Sequence, residues 1–168
     1  MRGVELYAAV DVHYPDAGGA LAALVATADR RFADITVERT VFLDQVAAYQ
    51  PGAFFTRELP ALKAVMAGQG PFALLIVDGY VHLDPAGKNG LGAHAHEEFG
   101  IPVIGVAKTF FHSATHAVEV RRGEAVKPLY VTSVGIPAGE AADLVRAMAG
   151  PFRMPDALRR VDALTRGR

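Results

Sequence analysis

The chain of 168 residues has no cysteine. Disulfides and thiolate metal sites are excluded, so any metal must be held by carboxylates or imidazoles, a donor set that favours Mg²⁺, with Mn²⁺ as a second choice, over a structural zinc. No apolar run approaches the roughly 18–20 residues that a membrane-spanning helix needs. The opening Met1-Arg2-Gly3-Val4-Glu5 lacks the long apolar core of a secretion signal, and Glu5 argues against one. The expected setting is the cytoplasm, with no membrane partner. Net charge is also small, with 17 Lys and Arg against 18 Asp and Glu, so the total does not advertise a nucleic-acid binder. The distribution is uneven: residues 1–120 carry 8 basic against 13 acidic side chains, and residues 121–168 carry 9 against 5. An acidic half beside a basic tail suits a metal-dependent enzyme acting on a polyanion, although surface variation alone produces such contrasts.

What is present is apolar. With 51% hydrophobic residues, residues 1–168 are enough for one domain with a substantial core. Ala73-Leu74-Leu75-Ile76-Val77 runs without a polar break into Asp78-Gly79. A short continuous apolar run bounded by turn residues reads as a strand buried on both faces, and ligands of open α/β sheets bind at the carboxyl ends of such strands. Leu6 to Val12 reads as a first strand with Asp11 near its end. Gly19 to Ala26 is ambiguous by propensity, and its place between turn-like segments favours a second strand. Ile35 to Phe42 alternates apolar and polar, as a half-exposed third strand does. After the break at Gln50-Pro51-Gly52, Arg57 to Ala67 has helical spacing, with Leu59, Leu62, Val65 and Met66 on one stripe and Glu58 at or just before the start. Leu91 to Phe99 reads as a short helix, Ile101 to Ala107 as a buried strand parallel to the one ending at Asp78, and Ala117 to Thr132 as a hairpin. Gly139 to Met148 and Asp156 to Leu164 read as the last two helices.

Three antiparallel strands, a helix, then a fourth strand beside the first is the order of the ribonuclease H-like fold, an α/β fold with a mixed sheet flanked by helices. It makes the ends of strands one and four neighbours, so Asp11 and Asp78 lie close. Two such carboxylates repel each other, and a divalent cation removes that penalty. With Glu58 they form a candidate Mg²⁺ site, where a water acidified by the metal is a nucleophile for phosphodiester hydrolysis.

Five segments carry a closer likeness. Ala9-Val10-Asp11-Val12-His13-Tyr14, Tyr49-Gln50-Pro51-Gly52-Ala53-Phe54-Phe55-Thr56-Arg57-Glu58, Val77-Asp78-Gly79, Ile101 to Lys108 and Val131-Thr132-Ser133-Val134-Gly135 resemble, in order, motifs of the endonuclease V family. The resemblance spans about residues 6–150. It implies a Mg²⁺-dependent endonuclease that recognises hypoxanthine, the base of inosine, in DNA or RNA, cleaves the second phosphodiester on its 3′ side, and serves DNA repair. Asp11, Glu58 and Asp78 match the family's metal carboxylates. Lys108 matches its lysine near the scissile phosphate, where a cation offsets developing charge. Tyr49, Pro51 and Gly52 match the wedge that enters the nucleic acid beside the lesion. Gly79 and Tyr80 begin the base pocket, and His94 aligns with a family histidine. A monomer is expected.

The chain departs from the family in four places. Tyr80-Val81-His82-Leu83-Asp84-Pro85 replaces a basic, histidine-containing loop, with Asp84 where a histidine is expected. Gly135-Ile136-Pro137 replaces a Gly-His, so a fourth site residue is expected to be missing at Ile136. Ala48 replaces a proline of the wedge, and the chain starts just before Asp11. Two other readings therefore stay open: a structure-specific nuclease without hypoxanthine preference, and a non-catalytic nucleic-acid-binding relative. A zinc site at His94-Ala95-His96 is disfavoured because residues two apart on a helix face different ways. His112 and His116, and His13 beside Asp11, are weaker candidates still.

Overall fold

The structure, a computed structural model, describes residues 5–47 and 55–168, the side chains of residues 55–57 excepted. Tyr49, Pro51 and Gly52, the expected wedge, lie outside the described residues, as does Ala48. Among the described residues eleven elements follow one another: β1 (Leu6–His13), β2 (Ala20–Thr27), β3 (Val37–Leu43), α1 (Phe55–Met66), β4 (Phe72–Asp78), α2 (Leu91–Phe99), β5 (Val103–Ala107), β6 (Val118–Val120), β7 (Leu129–Val134), α3 (Ala138–Ala147) and α4 (Asp156–Thr165). The strands form one mixed sheet in the order β3-β2-β1-β4-β5-β7-β6. β1, β2 and β3 form an antiparallel meander, β4 and β5 lie parallel to β1, and β7 returns antiparallel to β5.

Side-chain alternation divides the core into two layers. Ala8 and Val10 of β1 and Leu75 and Val77 of β4 pack with Leu62 and Val65 of α1 and Ala93 and Ala95 of α2. Ala9 of β1, Ile76 of β4 and Ile104 and Val106 of β5 face the other way, against Ala142 and Val145 of α3 and Leu158 and Val161 of α4. β2 is rich in alanine, a poor strand former, yet it is buried almost throughout. Its small side chains let α1 settle on one face and α4 on the other, and that packing decides the conformation. β3 is an edge strand of alternating exposure carrying Glu38 and Arg39, charges that discourage pairing with another chain. Glu38 forms an ion pair with Arg160 of α4, tying the edge to the last helix.

The helix read as Arg57 to Ala67 begins earlier, at Phe55, so Glu58 lies inside its first turn rather than ahead of it. There a carboxylate also interacts favourably with the helix dipole.

Candidate active site

Parallel pairing of β1 with β4 aligns Ala9 with Ile76. Two residues on, β4 ends on Asp78 and β1 carries Asp11, two residues short of its own end. The same alternation that turns Ala9 and Ile76 toward α3 and α4 turns these two carboxylates toward α4. β5 aligns Val106 with Asp78, which brings Lys108 to the same end of the sheet. A small cleft of about 30 Å³ is lined by Asp11, Asp78, Lys108, Met154 and Asp162. A second, of about 50 Å³, is lined by Asp11, Asp78 and Glu58 of α1. The expected trio therefore meets at the strand ends, with Glu58 arriving from one face of the sheet and Asp162 from the other.

Asp162 is the residue that the sequence reading missed. Its helix, α4, presents Ala157, Leu158, Val161 and Thr165 to the sheet as buried residues, and Asp162 sits at the margin of that stripe, half-buried. An acid beside the apolar stripe of a helix that packs on Asp11's strand was the available signal. Ile136, where a fourth site residue was expected to be missing, lies away from the carboxylates. β7 runs antiparallel to β5 and pairs Val134 with Val103, at the start of β5. Gly135 and Ile136 thus sit at the opposite end of the strands from Asp78, in a pocket with Tyr7, Arg30 and Pro102.

The electrostatics follow from this crowding. Burial first, then the charge of Asp78, pushes the Asp11 carboxyl from 3.8 up to about 7. The Val12 N–H donates to Asp11 Oδ1 at 2.9 Å and opposes the shift, while the charge of Asp162 and a hydrogen bond with its carboxylate add to it. Burial also raises Asp78, against the pull of Lys108. Among the described residues no three acidic or imidazole groups stand in closed ligating geometry. Even so, the donor set lining the two clefts is all carboxylate oxygen, and it includes an acid that resists ionisation. That set fits a hard divalent cation and no softer metal.

Beside the carboxylates opens the largest cavity of the site, about 550 Å³, lined by Glu58, Asp78, Tyr80, His94, Phe110 and Phe111 among others. Gly79 turns the chain into its wall with φ +110°, a backbone angle that explains the glycine better than close contact does, since a Cβ there would meet nothing within 4 Å. Gly105 is the close approach: a Cβ on β5 would lie 2.5 Å from the Gly79 carbonyl oxygen. That bare stretch of strand lets the 79–81 segment cross it, and the Val81 N–H donates to Thr132 Oγ1 at 2.9 Å. Tyr80 is held by its hydroxyl, which donates to the Thr109 carbonyl at 2.7 Å, and its ring packs tilted on Phe111 at 6.0 Å. Asp84, in place of a histidine, organises the loop: its Oδ1 accepts from the Lys88 N–H at 3.0 Å, and such bonds hold its pKa below the usual value. His94 faces the cavity, whereas the His96 ring bonds the Ile101 carbonyl at 2.7 Å. The two histidines diverge, as their spacing implied. The segment holding His112 and His116 is not helical.

A family model for endonuclease V matches residues 1–126. An endonuclease V of Streptomyces coelicolor is 34% identical over 179 residues, covering 94% of this chain and 76% of the relative. One of Nocardia farcinica is 32% identical over 182 residues, covering 95% and 79%. The crystal structure of endonuclease V from Streptomyces avermitilis superposes with a TM-score of 0.80 at 28% identity, covering 98% of this chain and 81% of that one. The enzyme from Ciona intestinalis, solved with a 24mer DNA containing an inosine followed by a ribo-adenosine, shares the fold with a TM-score of 0.78 at 15% identity, covering 98% and 85%. The seven-stranded mixed sheet is thus a ribonuclease H-like fold, and the chain with its three convergent aspartates belongs to the endonuclease V family.

Proposed function

We propose that this chain is a divalent-metal-dependent endonuclease, a monomer formed by the single domain 1–168 and working in the cytoplasm. In this reading it hydrolyses a phosphodiester on the 3′ side of hypoxanthine in DNA or RNA, in the service of repair. The observation that carries the reading is the meeting of Asp11, Asp78 and Asp162 beside Lys108, at the rim of a base-sized cavity. Asp11, Glu58, Asp78 and Asp162 would hold Mg²⁺ or Mn²⁺, which supplies Lewis-acid charge to the phosphate and lowers the pKa of water. The chain's own part is positional and electrostatic. Parallel strand ends fix the spacing of Asp11 and Asp78. Lys108 offers a cation to a non-bridging oxygen as charge develops there. Tyr80, Phe111 and Leu91 give the cavity apolar walls against which a flipped base can pack, with His94 and the backbone about Gly79 as polar edges. Tyr49, Pro51 and Gly52 would fill the space that the base vacates.

The test is digestion of inosine, uracil, abasic and flap substrates, in DNA and in RNA, with Mg²⁺ and with Mn²⁺. Wild type is expected to nick the inosine strand, and Asp78→Asn to lose at least about a hundredfold in rate while keeping its circular dichroism and a cooperative melt. Undiminished nicking by that variant overturns the assignment. Equal cutting of inosine-free flaps would instead favour a structure-specific nuclease, a reading motivated by the altered Tyr80–Pro85 loop. A non-catalytic relative loses its motivation, since Ile136 lies away from the site.

A further inference from the structure

Phe152 is a large apolar side chain left 56% exposed. It sits in the turn between α3 and α4, two residues before Met154, which lines the carboxylate cleft. The guanidinium of Arg159 lies over its ring, 4.8 Å from the centroid. Arg159 is one helical turn before Asp162. Its neighbours on α4 are neutralised, Arg160 by Glu38 and Arg166 by Asp162 at 3.5 Å. Arg159 has no carboxylate partner among the described residues and keeps its charge for something else. The turn is also rigidly built. The buried Arg122 guanidinium donates to the carbonyls of Phe152 at 2.8 Å and Gly150 at 2.9 Å, and Arg153 donates to the carbonyls of Lys108 and Pro128. An exposed aromatic ring on a fixed turn, backed by a free arginine, is the chemistry of a stacking platform for single-stranded nucleic acid.

The position of the pair gives the platform a direction. The base-sized cavity opens on the side of the sheet that carries α1 and α2. The carboxylates lie at the strand ends. Phe152 and Arg159 lie beyond them, on the side of α4. We propose that Phe152 and Arg159 form a binding surface for the nucleotides 3′ of the cleaved bond: Phe152 stacks on a base and Arg159 engages a phosphate. This rests on the reading above, in which the base enters the cavity and cleavage falls on its 3′ side. A strand running from cavity to carboxylates then leaves over this turn. The exposed, unneutralised Arg159 gives the surface the sign that a polyanion requires.

The test measures binding in Ca²⁺, and single-turnover cleavage in Mg²⁺, on inosine oligonucleotides whose 3′ tails run about three or about ten nucleotides past the base, with 5′-tailed controls. Wild type, Phe152→Ala and Arg159→Gln are compared. Both variants are expected to fold with unchanged melting temperature and to bind the long 3′ tail about five- to twentyfold more weakly, with little change on the short tail. Arg159→Gln should also lower the salt slope of log Kd by about 0.7, the value for one phosphate of a single strand. Equal loss on both tail lengths, loss that follows the 5′ tail, or no loss overturns the platform. Failure of wild type to prefer inosine, with tail dependence intact, would overturn the base reading and leave the platform standing.

Discussion

Asp11 is where the site's cost to the fold is concentrated. Its carboxyl is raised from 3.8 to about 7, chiefly by burial and by Asp78. A raised folded-state pKa means that the native chain holds the proton more tightly than the unfolded chain. Below about pH 4 both states are protonated and nothing is lost. Between about pH 4 and 7 the unfolded carboxyl ionises first and native stability falls. Above about pH 7 the full penalty stands. Asparagine mimics the protonated acid and can still donate to Asp162. Asp11→Asn in chelator is therefore expected to melt higher than wild type at pH 8, by on the order of 2–4 kcal/mol, and to lose that advantage as the pH falls to 4. Thermal melts across that range check it. A constant gain at every pH would mean that the stabilisation comes from packing rather than from ionisation. Glu58, from the opposite face, and Asp162, from α4, complete a ring of acids that only a cation makes comfortable.

At the scale of elements, the turn joining α3 to α4 decides where Asp162 stands. Arg122 is 6% exposed, and burial lowers its pKa against the opposing charge of Asp156. Its guanidinium is spent on carbonyl oxygens: Met148 at 2.5 Å, Gly150 at 2.9 Å, Phe152 at 2.8 Å and Arg153 at 3.3 Å. Arg122→Met keeps the stem and strands four buried or half-buried acceptors. The expected loss is about 3–5 kcal/mol of stability, with nicking lost earlier on warming than the global fold, as α4 drifts. Circular dichroism and activity melts in parallel measure both. None of this was legible in advance, because Arg122 sits in a hairpin and reaches carbonyls 26 to 31 residues on. By contrast the buried run to Asp78 and the alternation of β3 declared themselves, since each depends on neighbours one or two residues away. Gly19 to Ala26 became a strand only through its context. Asp162 escaped because a lone acid on a helix looks like surface until the helix is docked, and Ile136 misled because strand direction, not strand content, decides which end of the sheet a residue occupies.

Among the described residues the sheet carries helices on both faces, and its acids gather toward the carboxyl ends of β1 and β4. Such a fold is stabilised by whatever binds the native state alone. A divalent cation held by Asp11, Glu58, Asp78 and Asp162 should therefore raise the melting temperature. At free cation about ten times its Kd the gain is about 1.4 kcal/mol, or about 3–5 °C for a chain of this size. The comparison of Asp78→Asn and Asp162→Asn with wild type, in Mg²⁺, Mn²⁺ and chelator, carries the weight. Wild type should gain in Mn²⁺ and Mg²⁺, each variant should gain less, and in chelator both variants should be at least as stable as wild type, since each relieves the repulsion on Asp11. A cation-dependent gain that survives loss of either aspartate would place the metal elsewhere in the chain. A gain abolished by Asp78→Asn but not by Asp162→Asn would return α4 to a structural role and leave Glu58 as the last ligand.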